Sequence, residues 1–110
     1  MSYQHAELAA GRWAALSFME QLAHIGSEVE RAVAWRAKQH PAYSQRAFER
    51  ALELLDLALD SADTFPRAKE LARLRETLVD DFSGTNLYHS SDGAWRRYFG
   101  CFTYAARRHH

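Results

Sequence analysis

From Ser44 to Ala62, apolar and polar residues alternate with the period of a helix. At 100° per residue, Phe48, Ala51, Leu52, Leu55 and Leu59 fall on one line, and Ala47, Leu54 and Ala58 widen it to a sector of roughly 160°. Arg46, Glu49, Glu53, Asp56 and Asp60 fill the opposite side. A sector that wide is too broad for one partner helix to cover. The segment is therefore expected at the centre of a small bundle, with neighbours on two sides.

A helix before it opens at Ser17-Phe18-Met19-Glu20, the spacing of a capping box in which the serine and the glutamate each satisfy a backbone amide of the other's residue. Phe18, Leu22, Ile25, Val29 and Val33 form its apolar stripe, and Pro41 is expected to stop it near Lys38 to His40. Gly26 interrupts this helix at a cost of about 1 kcal/mol against alanine, which a close approach by another helix or an aromatic ring would repay. Ser44 is expected to cap the central helix. Asp63 or Thr64 caps the third, with Pro66 in its first turn, Leu71, Leu74, Leu78 and Phe82 on its apolar line, and Gly84 at its end. After a loop from Ser83 to Ser91, a fourth helix carries Trp95, Phe99, Phe102 and Ala106 on one line, flanked by Tyr98, Cys101 and Ala105. Short links between four helices of similar length predict an all-α, antiparallel four-helix bundle of up-down-up-down order over residues 16–110. Residues 1–15, broken at Gly11, are expected to form a short N-terminal arm pinned by Trp13.

Composition changes this picture little. The chain has 110 residues, 47% hydrophobic and 25% charged, which suits one ordinary globular domain and excludes a disordered chain. Fourteen basic and fourteen acidic side chains cancel, so the overall charge argues for neither nucleic acid nor membrane. No stretch approaches the roughly 20 apolar residues of a membrane span. Met1 to Ala15 has no basic cluster ahead of its apolar part, so no secretory signal is expected, and a cytoplasmic protein is. Cys101 is the single cysteine, which rules out an internal disulfide and fits a reducing compartment.

Three groups of residues bear on function. Glu20, His24 and Glu28 recur at i, i+4 and i+8 on one flank of the first helix, where two carboxylates bracket an imidazole as metal ligands or a tuned base would. The simpler reading is a solvated row of i,i+4 pairs, and the Glu-x-x-His motif of a carboxylate-bridged dimetal bundle does not occur. In the last helix, Arg96 and Arg97 precede, and Arg107 and Arg108 follow, the aromatics Tyr98, Phe99, Phe102 and Tyr104. Arginine interleaved with aromatic rings suits a phosphate-and-base surface. The helix dipole accounts for Arg107 and Arg108 at the C-terminal end, whereas it disfavours Arg96 and Arg97 near the start. Finally, Trp13, Trp35, Leu57 (in the polar sector of the central helix) and Tyr104 (opposite the Trp95–Phe102 line) exceed what a small bundle is expected to hide, which points to a protein interface. Arg75, beside the Leu71–Leu78 line, is expected to pair with an acid on another helix, and Cys101 to be an inert thiol on the core flank. No glycine-rich phosphate loop, Gly-x-Ser-x-Gly or His-Glu-x-x-His occurs, so no cofactor or catalytic class is indicated.

The segments Ser17-Phe18-Met19-Glu20-Gln21-Leu22-Ala23-His24-Ile25-Gly26-Ser27-Glu28-Val29 and Phe48-Glu49-Arg50-Ala51-Leu52-Glu53-Leu54-Leu55-Asp56-Leu57 resemble a family of small bacterial hypothetical proteins. The likeness continues through Lys69-Glu70-Leu71, Arg75-Glu76 and Tyr98-Phe99 to Tyr104-Ala105-Ala106-Arg107, and it implies a helical fold with no assigned activity. In architecture alone the chain is similar to the four-helix proteins encoded in ribosomal RNA intervening sequences and to the accessory subunits of diversity-generating retroelements. Those are oligomeric, basic and nucleic-acid-associated; this chain is neutral. The leading expectation is a non-enzymatic, oligomeric interaction or accessory module that pairs with its own copies or another protein. A nucleic-acid-binding accessory built on the four arginines is the alternative, and a metal-binding or enzymatic bundle around Glu20, His24 and Glu28 the third.

Overall fold

A computed structural model describes residues 11–108, with side chains through residue 106. It is an all-α, antiparallel four-helix bundle: α1 (Phe18–Ala37), α2 (Pro41–Ser61), α3 (Phe65–Ser83) and α4 (Asp92–Arg108). α1 is the central element, packed between α2 and α4, and α3 lies on α2. No helix among the described residues is long and apolar enough to cross a membrane.

The capping box opens α1 as expected. The Glu20 amide donates to Ser17 Oγ at 3.1 Å, and the Ser17 amide donates to Glu20 Oε1 at 3.0 Å. Leu22, Ile25, Val29 and Val33 from α1 meet Phe48, Ala51, Leu54 and Leu55 from α2, and Leu71, Leu74 and Leu78 from α3, in one core that Trp95 and Phe99 of α4 close. Thr64 caps α3, accepting from the Arg67 amide at 3.3 Å, and Ser91 Oγ accepts from the Ala94 amide at 3.1 Å at the start of α4. In the loop between them, the Asp80 carboxylate accepts from the amides of Leu87 and Tyr88 at 2.9 and 3.1 Å.

Gly26 is explained by its neighbour. A Cβ built there would stand 2.8 Å from the Cβ, Cγ and Cδ1 of Phe99, so the ring of α4 rests directly on the backbone of α1. These are atoms near the α4 backbone, which a rotamer change does not clear. Gly26→Ala is therefore expected to destabilise the protein by about 1–3 kcal/mol, despite the roughly 1 kcal/mol that alanine contributes in an open helix. Chemical denaturation checks it, and a stabilised variant would show that α1 and α4 are less closely seated.

Several expectations are corrected. α2 begins at Pro41, three residues before Ser44, because proline is preorganised for the first helical position and lacks the amide that would go unsatisfied there. Ser44 is not the cap: it is buried, and its hydroxyl donates to the Ala32 carbonyl at 2.8 Å, tying α2 to α1. Gly84 ends α3 at φ −110°, outside the left-handed region; glycine is favoured because a Cβ would lie 2.9 Å from the Asp80 carbonyl oxygen. Cys101 is exposed, not on a core flank. Leu57 is half-buried and packs against the core, where the helical wheel placed it among polar residues. The expected arm falls largely outside the described residues, but Trp13 belongs to the core itself, 2% exposed, with its carbonyl accepting from Gln21 Nε2 at 3.0 Å.

Candidate interaction surface

The α4 sequence alternates large rings with small residues, and this shapes the outer cleft against α1. Trp95 and Phe99 stack with centroids 6.2 Å apart, and Tyr98 meets the edges of Phe99 and Phe102 at 5.0 and 5.2 Å. With Gly26 admitting Phe99, Trp95 and Phe99 form a floor together with Val29 and Val33. Ser27 and Glu30 of α1, and Arg96, Gly100, Thr103 and Tyr104 of α4, line the rest of a cleft of about 380 Å³. Arg96 Nε lies 4.0 Å from Glu30 Oε1, with both side chains more than half exposed, so this pair contributes little and leaves both charges available. Tyr104 is 66% exposed at the cleft. Around Gly100, nothing within 4 Å would meet a Cβ.

On the other side of α4, Tyr98 turns toward α3 and donates to Glu70 Oε1 at 2.6 Å. Burial, and then that hydrogen bond, push its hydroxyl far above the ordinary tyrosine range, so it remains a donor. The bond ties α4 to α3, while Arg97, Gly100, Cys101 and Tyr104 of α4 are exposed.

The structure thus brings together two residues that came from separate arguments, Tyr104 and Arg96, on one cleft. The remaining candidates disperse. Trp13 is enclosed and Leu57 half-buried, so neither presents a surface for a partner. Trp35 is half-buried and packs with His40 and Tyr43 where α1 turns into α2. Arg97 is exposed; Arg107 and Arg108 lie in the last turn of α4, beyond the side chains described. Glu20 is occupied in the capping box, His24 lies 6.0 Å from the Trp13 ring, and Glu28 is buried between Arg31 Nη1 at 2.6 Å and Arg50 Nε at 2.9 Å. Among the described residues, no group of three His, Cys, Asp or Glu side chains is arranged to hold a metal ion. Arg75 pairs with Asp56 on α2 at 2.9 Å, as expected, though both side chains stay partly exposed.

Residues that the sequence pattern did not single out hold the opposite end together. Arg36 of α1 donates through both terminal nitrogens to Asp81 of α3, each at 3.2 Å, and to Asp92 of α4 at 3.0 Å. Trp95 Nε1 donates to the same Asp81 carboxylate at 2.6 Å, and Arg36 lies 4.0 Å above the Phe82 ring. Phe82 in turn stacks on Phe48 of α2 at 5.2 Å, so this one cluster joins all four helices. No known protein family matches the chain, and no curated protein or solved structure gives a significant match.

Proposed function

We propose that this chain is a non-enzymatic interaction module that associates with a second copy of itself through the open face of α4. The observation that carries the reading is Gly100, a glycine inside a helix, exposed, with no neighbour among the described residues that needs the space. Such a residue costs about 1 kcal/mol against alanine. Gly26 shows what a helical glycine does in this fold, which is to admit an aromatic ring from another helix. An antiparallel copy of α4 crossing at Gly100 would set position 96 over position 104. Arg96 of one copy would then lie against Tyr104 of the other, a cation–π contact worth about 0.5–1 kcal/mol at an exposed site. Antiparallel helix dipoles and a net charge of zero favour the same pairing.

A second reading, contact with nucleic acid through Arg96, Arg97, Arg107 and Arg108, draws on the exposure of Arg96 and Arg97 in the second turn of α4, near the end where the dipole disfavours cations. Light scattering over a concentration series, at low and high salt and with absorbance at two wavelengths, separates the two. Self-association gives a mass that rises to the dimer at low and high salt alike, and Gly100→Leu or Tyr104→Ala returns it to the monomer with its helical content retained. A monomer at every concentration overturns it. A salt-releasable nucleic-acid signal, abolished by Arg96→Ala with Arg97→Ala, would put the second reading in its place.

A further inference from the structure

From Arg31 to Phe48 the chain contains no Asp or Glu, yet it carries Arg31, Arg36, Lys38 and Arg46. The fold bends this acid-free stretch into the turn between α1 and α2. Gln39 takes a left-handed conformation at φ 63°, and the His40 amide donates to the Trp35 carbonyl at 2.9 Å. The turn gathers three rings. Trp35 meets His40 edge-on at 5.4 Å and Tyr43 at 4.8 Å, and His40 lies 5.9 Å from Tyr43. Trp35 backs the group, while His40 is exposed and Tyr43 is 46% exposed.

Cations flank the rings. Lys38 Nζ stands 5.4 Å from the Trp35 centroid and Arg46 Cζ 4.7 Å from the Tyr43 centroid. Arg31 and Arg36 are engaged by carboxylates of the fold, but Lys38 and Arg46 make no salt bridge among the described residues. The turn presents the exposed rings of His40 and Tyr43, and a base stacking on Tyr43 would displace the Arg46 guanidinium that lies over it toward a phosphate, which matches the alternation of base and phosphate along an unpaired strand. Rings stack on bases of any sequence, and cations neutralise phosphates.

We propose that the α1–α2 turn is a binding platform for single-stranded nucleic acid, with bases stacking on Tyr43 and His40 and phosphates meeting Lys38 and Arg46. This platform rests on different residues from the α4 face and does not depend on self-association. The test is fluorescence anisotropy with labelled oligouridine and oligothymidine of about 12 nucleotides, within the usual range of single-strand site sizes. A base-paired duplex of the same length is the comparison.

One or both single strands should bind more tightly than the duplex, and which of them does so distinguishes RNA from DNA as the natural ligand. Two neutralised phosphates imply that affinity falls about sevenfold between 50 and 200 mM salt. Tyr43→Ala should weaken binding by about 5- to 160-fold, the range for losing one stacked base, and Tyr43→Phe should restore it. Lys38→Glu with Arg46→Glu should abolish binding, and Arg96→Ala with Arg97→Ala should leave it unchanged. All five positions are exposed, and an unchanged thermal melt confirms that each variant folds. The proposal is overturned by the absence of binding at about 100 µM protein, the weak end of non-specific affinity. Binding that survives the Lys38 and Arg46 reversals, or that favours the duplex, overturns it equally.

Discussion

Trp13→Ala is expected to cost about 3–5 kcal/mol, the range for emptying a tryptophan-sized site in a close-packed core. The effect is large because the ring is enclosed, although it precedes the first regular helix by several residues. The loss is that of a cavity, since the backbone carbonyl of residue 13, which accepts from Gln21 Nε2, is kept in the variant. Trp13 Nε1 is buried with no hydrogen-bond partner among the described residues. Trp13→Phe removes that unsatisfied donor while keeping most of the volume, so it is expected to cost less than half as much as alanine. Urea denaturation of the pair decides the matter. An alanine variant that loses less than about 1 kcal/mol would show that the chain ahead of α1 is dispensable to the core.

The second large effect is expected at Arg36. Its guanidinium is 35% exposed, whereas the Asp81 side chain it holds is 6% exposed. Burial acts against the charge of Arg36, but its hydrogen bonds and charge contacts with Asp81 and Asp92 more than offset this and hold its proton more tightly than usual. Arg36→Ala leaves a buried carboxylate with only the Trp95 indole to satisfy it and removes the cation over Phe82. Breaking a fully buried pair costs about 3–5 kcal/mol; solvent access to the arginine lowers the expectation here to about 2–4 kcal/mol. Asp81→Asn keeps an acceptor for Trp95 and leaves Arg36 paired with Asp92, so its cost should be smaller, about 1–2 kcal/mol. Thermal and urea unfolding of both variants tests the order. If Arg36→Ala costs under about 0.5 kcal/mol, the cluster behaves as an ordinary surface ion pair.

The elements of the bundle were readable because they rest on local chemistry. The Ser17–Glu20 box, the stop at Pro41, the Thr64 cap and the apolar lines of α1, α3 and α4 each depend on residues a few positions apart. Gly26 was readable for a related reason. A helical glycine carries a known cost, and the structure supplies the Phe99 ring that accounts for it. The α2 start was misplaced because serine is a favoured cap, and the pattern does not reveal that the Ser44 hydroxyl has a partner at Ala32 on the preceding helix.

The candidate surfaces were legible only in part. A helical wheel gives the direction of Leu57 but not what packs around it; Leu57 lies against the core, and the neighbouring Asp56 pairs with Arg75 of α3. Trp35 was noticed as a large apolar residue. The acid-free run around it was equally visible in the sequence, but its meaning depends on a turn that gathers Trp35, His40 and Tyr43. Tyr104 and Arg96, eight positions apart, became one surface only when α4 docked on Gly26.

Residue spacing along the chain was enough for the helices, their order and most of the core, since periodicity and capping act within one or two turns. The burial of Trp13, the joining of Arg36, Asp81, Asp92 and Trp95, and the exposure of Gly100 were settled by packing. Each depends on which faces meet in the folded chain, and the Arg36–Asp81 contact spans 45 residues, beyond the reach of any local pattern.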